Sequence, residues 1–442
     1  MAIIRDGQVI QWETLGRDKF LRNKDAPALF EDPVTLKDIR GGAEVISRSG
    51  NVMPRAITRD KLGTDALLVA MNLNVTAADV KQVATGYDKS LNDYIYVITW
   101  DGTNYALRRF NTLDLLSPYQ DAFLLNASFG LAGSEAIANI FGVAVTNDRV
   151  VGSYETDAGN RYLAIWDFGL AFQSRVRAPF HELALTKGIA FDGANLVGLS
   201  VGASGNGIDS QQSLDNTQFD INSGGTQHQT FKTGANVTAI TAFAVLMKAN
   251  AGATATINWA IKSSDGGTTL ASGNFSIDEN KTWRTVSGLT VAVSANTTYR
   301  LELSHSGGTA TENWFGHTAN KYPDGVFSDV AMADAAFKIY AAIPGGYSGN
   351  RLIRYDPSTY ALVDTVAWSG ALPDLMATYD KKFHYASDSS NKKIVKFVRD
   401  ASIVIASEQA IEETVKGVLH FNSFMYVCYT IGGTLVAVPV SI

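Results

Sequence analysis

The sequence predicts an all-β protein: a five-bladed β-propeller with an inserted β-sandwich of jelly-roll type and an extended N-terminal arm. Three observations predict it. A pair of turn-and-strand motifs recurs five times along the chain. A stretch between the third and fourth copies has a composition of its own. The first 60 residues differ from both, carrying 10 Lys/Arg and 9 Asp/Glu.

That first zone, 1–60, mixes charge with Trp12, Phe20, Leu21, Leu29 and Phe30. The zone is not expected to make a core of its own. The zone reads either as a disordered lead-in or as an attachment arm that folds against a partner subunit, and the recurrence of large apolar residues favours attachment.

The propeller is expected in two parts, 61–202 and 343–442. Its first motif is an aromatic residue or Asn that opens a turn before an apolar strand. It reads YDKSLNDYIYVITW from Tyr87 and NDRVVGSY from Asn147, then FDGANLVGLSVG from Phe191, YDKKFHYASDSS from Tyr379 and FNSFMYVCYT from Phe421. The second motif is a Gly/Asn turn and a strand, as in GTNYALRRF from Gly102 and GNRYLAIWDF from Gly159. It recurs as GNRLIRYDP from Gly349, NKKIVKFVRD from Asn391 and GGTLVAVPV from Gly432. First-motif starts lie 60, 44, 188 and 42 residues apart. Without the interrupting stretch the period is near 40–60 throughout, with short alternating strands and no helical stripe. An all-strand repeat of that length is a propeller blade. The last copy stops one strand short, and ALLVAMNLNVT at 66–76 can supply the missing outer strand, hiding two sheet edges.

The interruption, 203–342, holds 56 Gly, Ser, Thr or Asn and only 8 Lys/Arg and 11 Asp/Glu in 140 residues. Strands are expected at 239–249, 255–263, 282–291, 297–305 and 335–343, separated by turn clusters such as SSDGG and HSGG. Antiparallel strands so spaced indicate a sandwich. It grows out of one turn of the third blade, where an insertion is tolerated.

Composition narrows function. The chain has 442 residues, and 18% are charged, against roughly 25% in an average soluble protein. A formal charge of −6 gives no electrostatic footprint for nucleic acid. The one cysteine, Cys428, rules out a disulfide framework and a Cys-based zinc cluster. The N-terminus lacks the apolar core of a secretory signal. No apolar run approaches the roughly 18 residues of a spanning helix. GxSxG, a P-loop and HExxH are all absent. No cofactor, membrane insertion or nucleic-acid partner is therefore expected.

The run TWRTVSGLTVAVSANTTYRLELS, with a Trp-bearing loop and a closing AFKIY strand, resembles the jelly-roll accessory modules of bacterial surface and phage tail proteins. The ring resembles NHL- and kelch-like propellers in pattern. Arm, ring and grafted jelly roll together resemble phage virion appendages: tail fibres, tailspikes and baseplate-associated proteins. That resemblance implies synthesis in the host cytoplasm and a place in the virion as a homo-oligomer among other tail proteins. It also implies contact of the insert with a host surface glycan or a neighbouring subunit. The alternatives are a propeller glycoside hydrolase or depolymerase with a substrate-binding insert, and a bacterial surface or secretion-machine component.

Ligand candidates concentrate in TENWFGHTANKYPDG. Trp314, Phe315, His317 and Tyr322 offer flat faces for sugar rings, and Asn313, Asn320, Lys321 and Asp324 offer partners for hydroxyls. The same aromatics can instead plug the end of the sandwich. Trp259 and Trp283 lie in strands and are expected in the core. Asp101, Asp192, Asp356 and Asp380 each follow an aromatic. Converging at one face, they would suit glycoside hydrolysis, but their place before Gly, Pro or Lys marks turn caps. Cys428 is expected to be a buried small apolar residue.

Overall fold

The computed structural model describes residues 129–178, 187–201, 206–221, 225–306, 311–329, 332–342, 349–369, 391–399 and 415, and elsewhere the strands named below. These residues are almost entirely strand and turn, so the chain is all-β as its alternation predicts. The residues form two compact units.

The first unit comprises Met1–Phe123, Val143–Asp148 and Pro373–Ile442. It holds three four-stranded sheets. One is the meander Asp79–Tyr87, Asp93–Trp100, Tyr105–Asn111 and Asp114–Phe123. A second is the meander Leu375–Tyr379, Phe383–Asp388, Lys393–Arg399 and Ile403–Ala410. The third joins Gly417–Phe421, Phe424–Ile431 and Thr434–Val440 to Met71–Asn72. In that last sheet Ala437 pairs with Met71 and Val436 with Asn72. A strand from 66–76 thus completes the sheet that the C-terminus leaves one strand short. Ala56–Ile57 and Leu68–Val69 pair as a further two-stranded ribbon.

The N-terminal zone departs from the expected extended arm. Ala2–Arg5, Gln8–Leu15, Phe20–Asn23, Glu44–Ile46 and Val52–Met53 form one antiparallel sheet. The physical reason is local. Arg5 pairs with Gln8, so the connection is the dipeptide Asp6-Gly7, a strong short-range hairpin signal. Trp12, Phe20 and Leu21 lie in these strands, whose backbone alone is described. Leu29 and Phe30 lie outside the described residues.

The second unit comprises Leu124–Gly142 and Arg149–Leu372. One sheet runs Ile137–Val145, of which Ile137–Gly142 lie in this unit, Val150–Thr156, Arg161–Trp166, Phe172–Arg177. Its strands bury Val150, Val151, Tyr154, Leu163, Ile165 and Trp166. Gly152 is required there, because a Cβ would stand 2.7 Å from the Trp166 ring. The next sheet runs Ile189–Phe191, Leu196–Val201, Asn350–Tyr355, Leu362–Ala367. It is assembled across the insertion: Leu196 pairs with Tyr355 and Val201 with Asn350.

The insert is two facing antiparallel sheets. The larger orders Asn206–Gln212, Phe337–Ala342, Ala239–Ala249, Glu312–His317 and Thr217–Asp220. Thr282–Ala292 pairs the free edge of Ala239–Ala249, and Asp334–Ala335 pairs Glu312–His317. The smaller orders Gln227–Lys232, Thr298–His305, Ala255–Ser263 and Thr269–Ile277. Period-two alternation sends Phe243, Val245 and Met247 from the first sheet, and Ile257, Trp259 and Ile261 from the second, into one core. Burying each such side chain fully contributes about 1.5–3 kcal/mol. Trp259 is core, as expected. Trp283 is not: it is half-buried on the outer face, opposite Leu246.

Candidate functional site

The segment expected to be a sugar-binding loop begins as a strand. In Glu312–His317 the side chains alternate, so Trp314 and Phe315 face opposite ways. Trp314 points inward and is fully buried. Its indole Nε1 donates to the Ala336 carbonyl at 3.0 Å, and Phe327 meets the ring edge-on at 5.5 Å. It pairs with Met247 on one side and Phe219 on the other. No face of this ring is open to a sugar, which overturns the stacking role read for it. The segment around Trp314 was expected to be a loop. Pairing on both edges by distant strands makes it a strand instead.

Tyr322 is also fully buried, and the same correction applies. Its ring meets Phe337 edge-on at 5.1 Å, and its hydroxyl accepts from the Lys232 backbone N–H at 3.0 Å. Arg177 Nη1 donates to that hydroxyl at 3.2 Å. Lys321 Nζ reaches the Ser134 carbonyl at 2.5 Å and the Asp157 carboxylate at 2.6 Å. The Asn320 carbonyl accepts from Ser134 N–H at 2.8 Å. Asp324 lies 3.9 Å from Arg177. Asn320, Lys321, Tyr322 and Asp324 thus meet Ser134, Asp157 and Arg177 of the same unit, and Tyr322 has no open face. His317 is half-buried, its Nδ1 accepting from Ala319 N–H at 3.0 Å. Asn313 is buried on the outer face beside Lys248. Phe315 is buried on that face too.

The junction that these residues help to form was not legible in the sequence. Arg175 and Arg177 lie two apart in Phe172–Arg177 and so share a face. Arg177 donates to the Lys232 carbonyl and lies 3.6 Å from the buried carboxylate of Asp209. Asp209 also accepts from Gly234 N–H at 3.0 Å. Burial pushes the Asp209 carboxyl up to about 6, against the pull of Arg177. Arg175 binds the buried Glu135 at 2.7 Å and lies 4.3 Å over the Tyr162 ring. Burial raises Glu135 in spite of that arginine. Asn160 bonds the Gln211 backbone in both directions, donating at 2.7 Å and accepting at 3.2 Å. Two turns accommodate the contact. Gly133 and Gly159 both have positive φ, and a Cβ on either would strike the insert, at Asn320 and Gln211 respectively. A crevice of about 190 Å³, open to solvent, lies between Arg177, Asp209, Asn160 and Gln211. These contacts hold the insert against the neighbouring residues of the same unit.

The repeated aspartates behave as turn caps where they are described. Asp192 Oδ1 accepts from Ala194 and Asn195 N–H at 2.8 and 2.6 Å. Asp356 Oδ1 accepts from Ser358 and Thr359 at 2.8 and 2.7 Å, and these bonds lower its pKa. Asp101 and Asp380 lie outside the described residues. Cys428 is buried, and burial pushes its thiol up. His305 bonds Glu312 at 2.6 Å, and no group of three metal-binding side chains occurs among the described residues. No described helix is long and apolar enough to cross a membrane.

The larger sheet's outer face carries a second grouping, also missed. Leu246, Phe315 and Ala336 form a small apolar cluster with Trp283 against it. Lys338 Nζ lies 4.6 Å over the Trp283 ring. Lys281 and Lys248 lie 4.3 and 5.7 Å from the centre of the Phe315 ring. The signal that could have found it is alternation: Leu246 and Lys248 face out because Val245 and Met247 face in.

No family model matches the chain, and no curated protein matches it in sequence. Among solved structures it is similar to U3-55K, at 8% identity and a TM-score of 0.31, covering 84% of this chain and 98% of that one. The WD40 repeats of RRP9 match at 8% identity and a TM-score of 0.31, over 84% of this chain and 97% of that one. An exo-β-1,3-galactanase from Phanerochaete chrysosporium, solved with galactose, matches at 7% identity and a TM-score of 0.21, over 60% and 68%.

Proposed function

We propose that this chain is a non-enzymatic structural and adhesion protein, a rigid β platform that carries a recognition module. The five four-stranded sheets, in chain order, are read as the blades of a five-bladed propeller and the insert as a jelly roll. The particle context, a phage tail or related virion appendage, follows from the sequence resemblance. There the N-terminal zone would dock the chain on its neighbours, and the insert would meet a host surface glycan or an adjoining subunit.

One observation carries the reading. The insert is tethered at both ends through adjacent paired strands, Leu196–Val201 and Asn350–Tyr355. It is also clamped from the side by Arg177, Lys321 and Asn160. A flexible spacer needs no such clamp. A module that must present a surface in a fixed direction does, because pre-organisation removes the entropy cost of orienting it at binding.

The register designs the experiment. Val201 pairs with Asn350, so residues 202–349 can be replaced by Asn-Gly, a two-residue hairpin turn. The shortened chain should keep a cooperative unfolding transition and lose binding to host cells. If it binds those cells as the full chain does, the insert is not the recognition module.

A further inference from the structure

We propose that the outer face of the insert's larger sheet is a binding shelf for an acidic saccharide. Its carboxylate or sulfate would be held by Lys248, Lys281 and Lys338, and its ring seated beside Trp283 and Phe315. The proposal rests on the reading of the insert as a glycan-recognition module, and moves the site from the segment 312–324 to the opposite side of the same strand.

The shelf follows from register. Ala239–Ala249 turns Ala244, Leu246 and Lys248 outward. Trp283 stands opposite Leu246, Lys338 opposite Ala244, and Asn313 opposite Lys248. Trp283 and Phe315 form two aromatic walls, with the small residues Ala244 and Ala336 buried beneath them. The lysine stems lie along those walls and fix the ammonium groups above them. Thr285 and Gln218 are exposed on the same face, at Ala244 and Phe315 respectively, and can meet sugar hydroxyls.

Charge argues for the ligand's class. The 140-residue insert holds only 8 Lys/Arg, and three of them converge here. Of the insert's other five cations, four have a carboxylate partner: Lys262 and Arg300 share Glu302, Arg284 pairs with Asp278, and Lys321 with Asp157. On the shelf Asp215 pairs with Lys281, while Lys248 and Lys338 have no ion-pair partner among the described residues. Asp220 is the next carboxylate, one strand beyond Asn313. Burial, with no anion to offset it, depresses the Lys338 pKa. An incoming acid would supply what both ammonium groups lack. The excess is one or two charges, which suits a uronate or a singly sulfated sugar. A polyphosphate backbone would need a far denser array, and the chain's overall −6 opposes it. Aromatic walls and hydroxyl partners add a place for a ring, which a bare anion does not use.

The test is a titration of the full chain by calorimetry with three probes: a galacturonic acid tetramer, its methyl ester, and a monosulfated galactose tetramer. An array of neutral and acidic glycans is probed in parallel. At least one acidic probe should bind tenfold or more tightly than the methyl ester, weakening as salt rises. The uronate and sulfate arms tell which acid is preferred. Lys248→Met and Lys338→Met, which keep the stems, should each weaken that probe several-fold with melting unchanged. Trp283→Ala should weaken it too, with Trp283→Phe recovering part of the loss. Equal affinity for acid and ester, or full binding by the double lysine variant, overturns the shelf while leaving a glycan-binding insert intact. Binding to neutral glycans alone does the same. No binding to any probe or array member removes the shelf and the glycan reading together.

Discussion

Replacing Trp314 by alanine separates the two roles that its sequence neighbourhood allows. The indole is fully buried between the insert's sheets, edge-on to Phe327, with its N–H bonded to the Ala336 carbonyl. Deleting a buried Trp costs about 3–5 kcal/mol, the transfer term plus the cavity left behind. The lost hydrogen bond belongs to the same change, since Ala336 still receives the weaker Leu246 N–H at 3.4 Å. For a sandwich of this size 1 kcal/mol moves a midpoint by roughly 2–4 °C, so Trp314→Ala should lower the insert's melting by about 6–20 °C. Trp314→Phe keeps a six-membered ring but loses part of the volume together with the N–H bond, so it should cost less than alanine, about 1–3 kcal/mol. Scanning calorimetry of the full chain, with the insert's transition assigned by the Asn-Gly shortened chain, reads both. Below the lowered midpoint, the alanine variant should bind whatever the wild type binds. An unchanged transition accompanied by lost binding would falsify the buried placement and restore Trp314 as a contact residue.

Other outcomes follow from the same contacts. Asp209 and Asp334 have carboxyls that burial pushes up to about 6 from an ordinary 3.8. Both therefore hold a proton more tightly folded than unfolded, and stability should fall as pH rises from about 4 to about 6. Melting should be higher at pH 5 than at pH 7, and Asp334→Asn should flatten that slope; an opposite slope refutes the assignment. Lys321→Met removes the link to Asp157 and the Ser134 carbonyl. It should speed protease cleavage in the junction while shifting the sandwich's own melting by less than about 1 kcal/mol, as for a part-exposed pair; unchanged cleavage would mean that the clamp does not hold the insert. Gly325→Ala places a methyl against the Thr230 carbonyl. Backbone cannot yield as a side-chain tip does, so this variant should lose on the order of 1–3 kcal/mol, measured by urea unfolding; wild-type stability would disprove the close approach.

Much of the architecture was legible because strands announce themselves by period-two alternation and turns by Gly and Asn. The expected strands at 239–249 and 255–263 coincide with Ala239–Ala249 and Ala255–Ser263. The missing strand at the C-terminus was found by counting, and Met71–Asn72 fills it. Turn-capping by Asp192 and Asp356 was readable because a cap acts on its own backbone two or three residues away. What failed was everything that depends on partners far along the chain. Glu312–His317 reads as loop from its own residues and becomes a strand because Lys248 and Asp220 flank Asn313. The same pairing decides that Trp314 is core. The N-terminal zone was expected to be an extended arm, yet pairs into a sheet through a hairpin signal that composition hides. Arg177, Asp209 and Tyr322 are spread over more than a hundred residues of sequence and meet within hydrogen-bond or ion-pair reach. Lys248, Lys281 and Lys338 share a face only because three strands pair in one register. Sequence determines the local backbone period, and so the elements and the side each residue faces. Which sides meet is set by long-range pairing, where one residue's shift in register would turn every side chain to the opposite face.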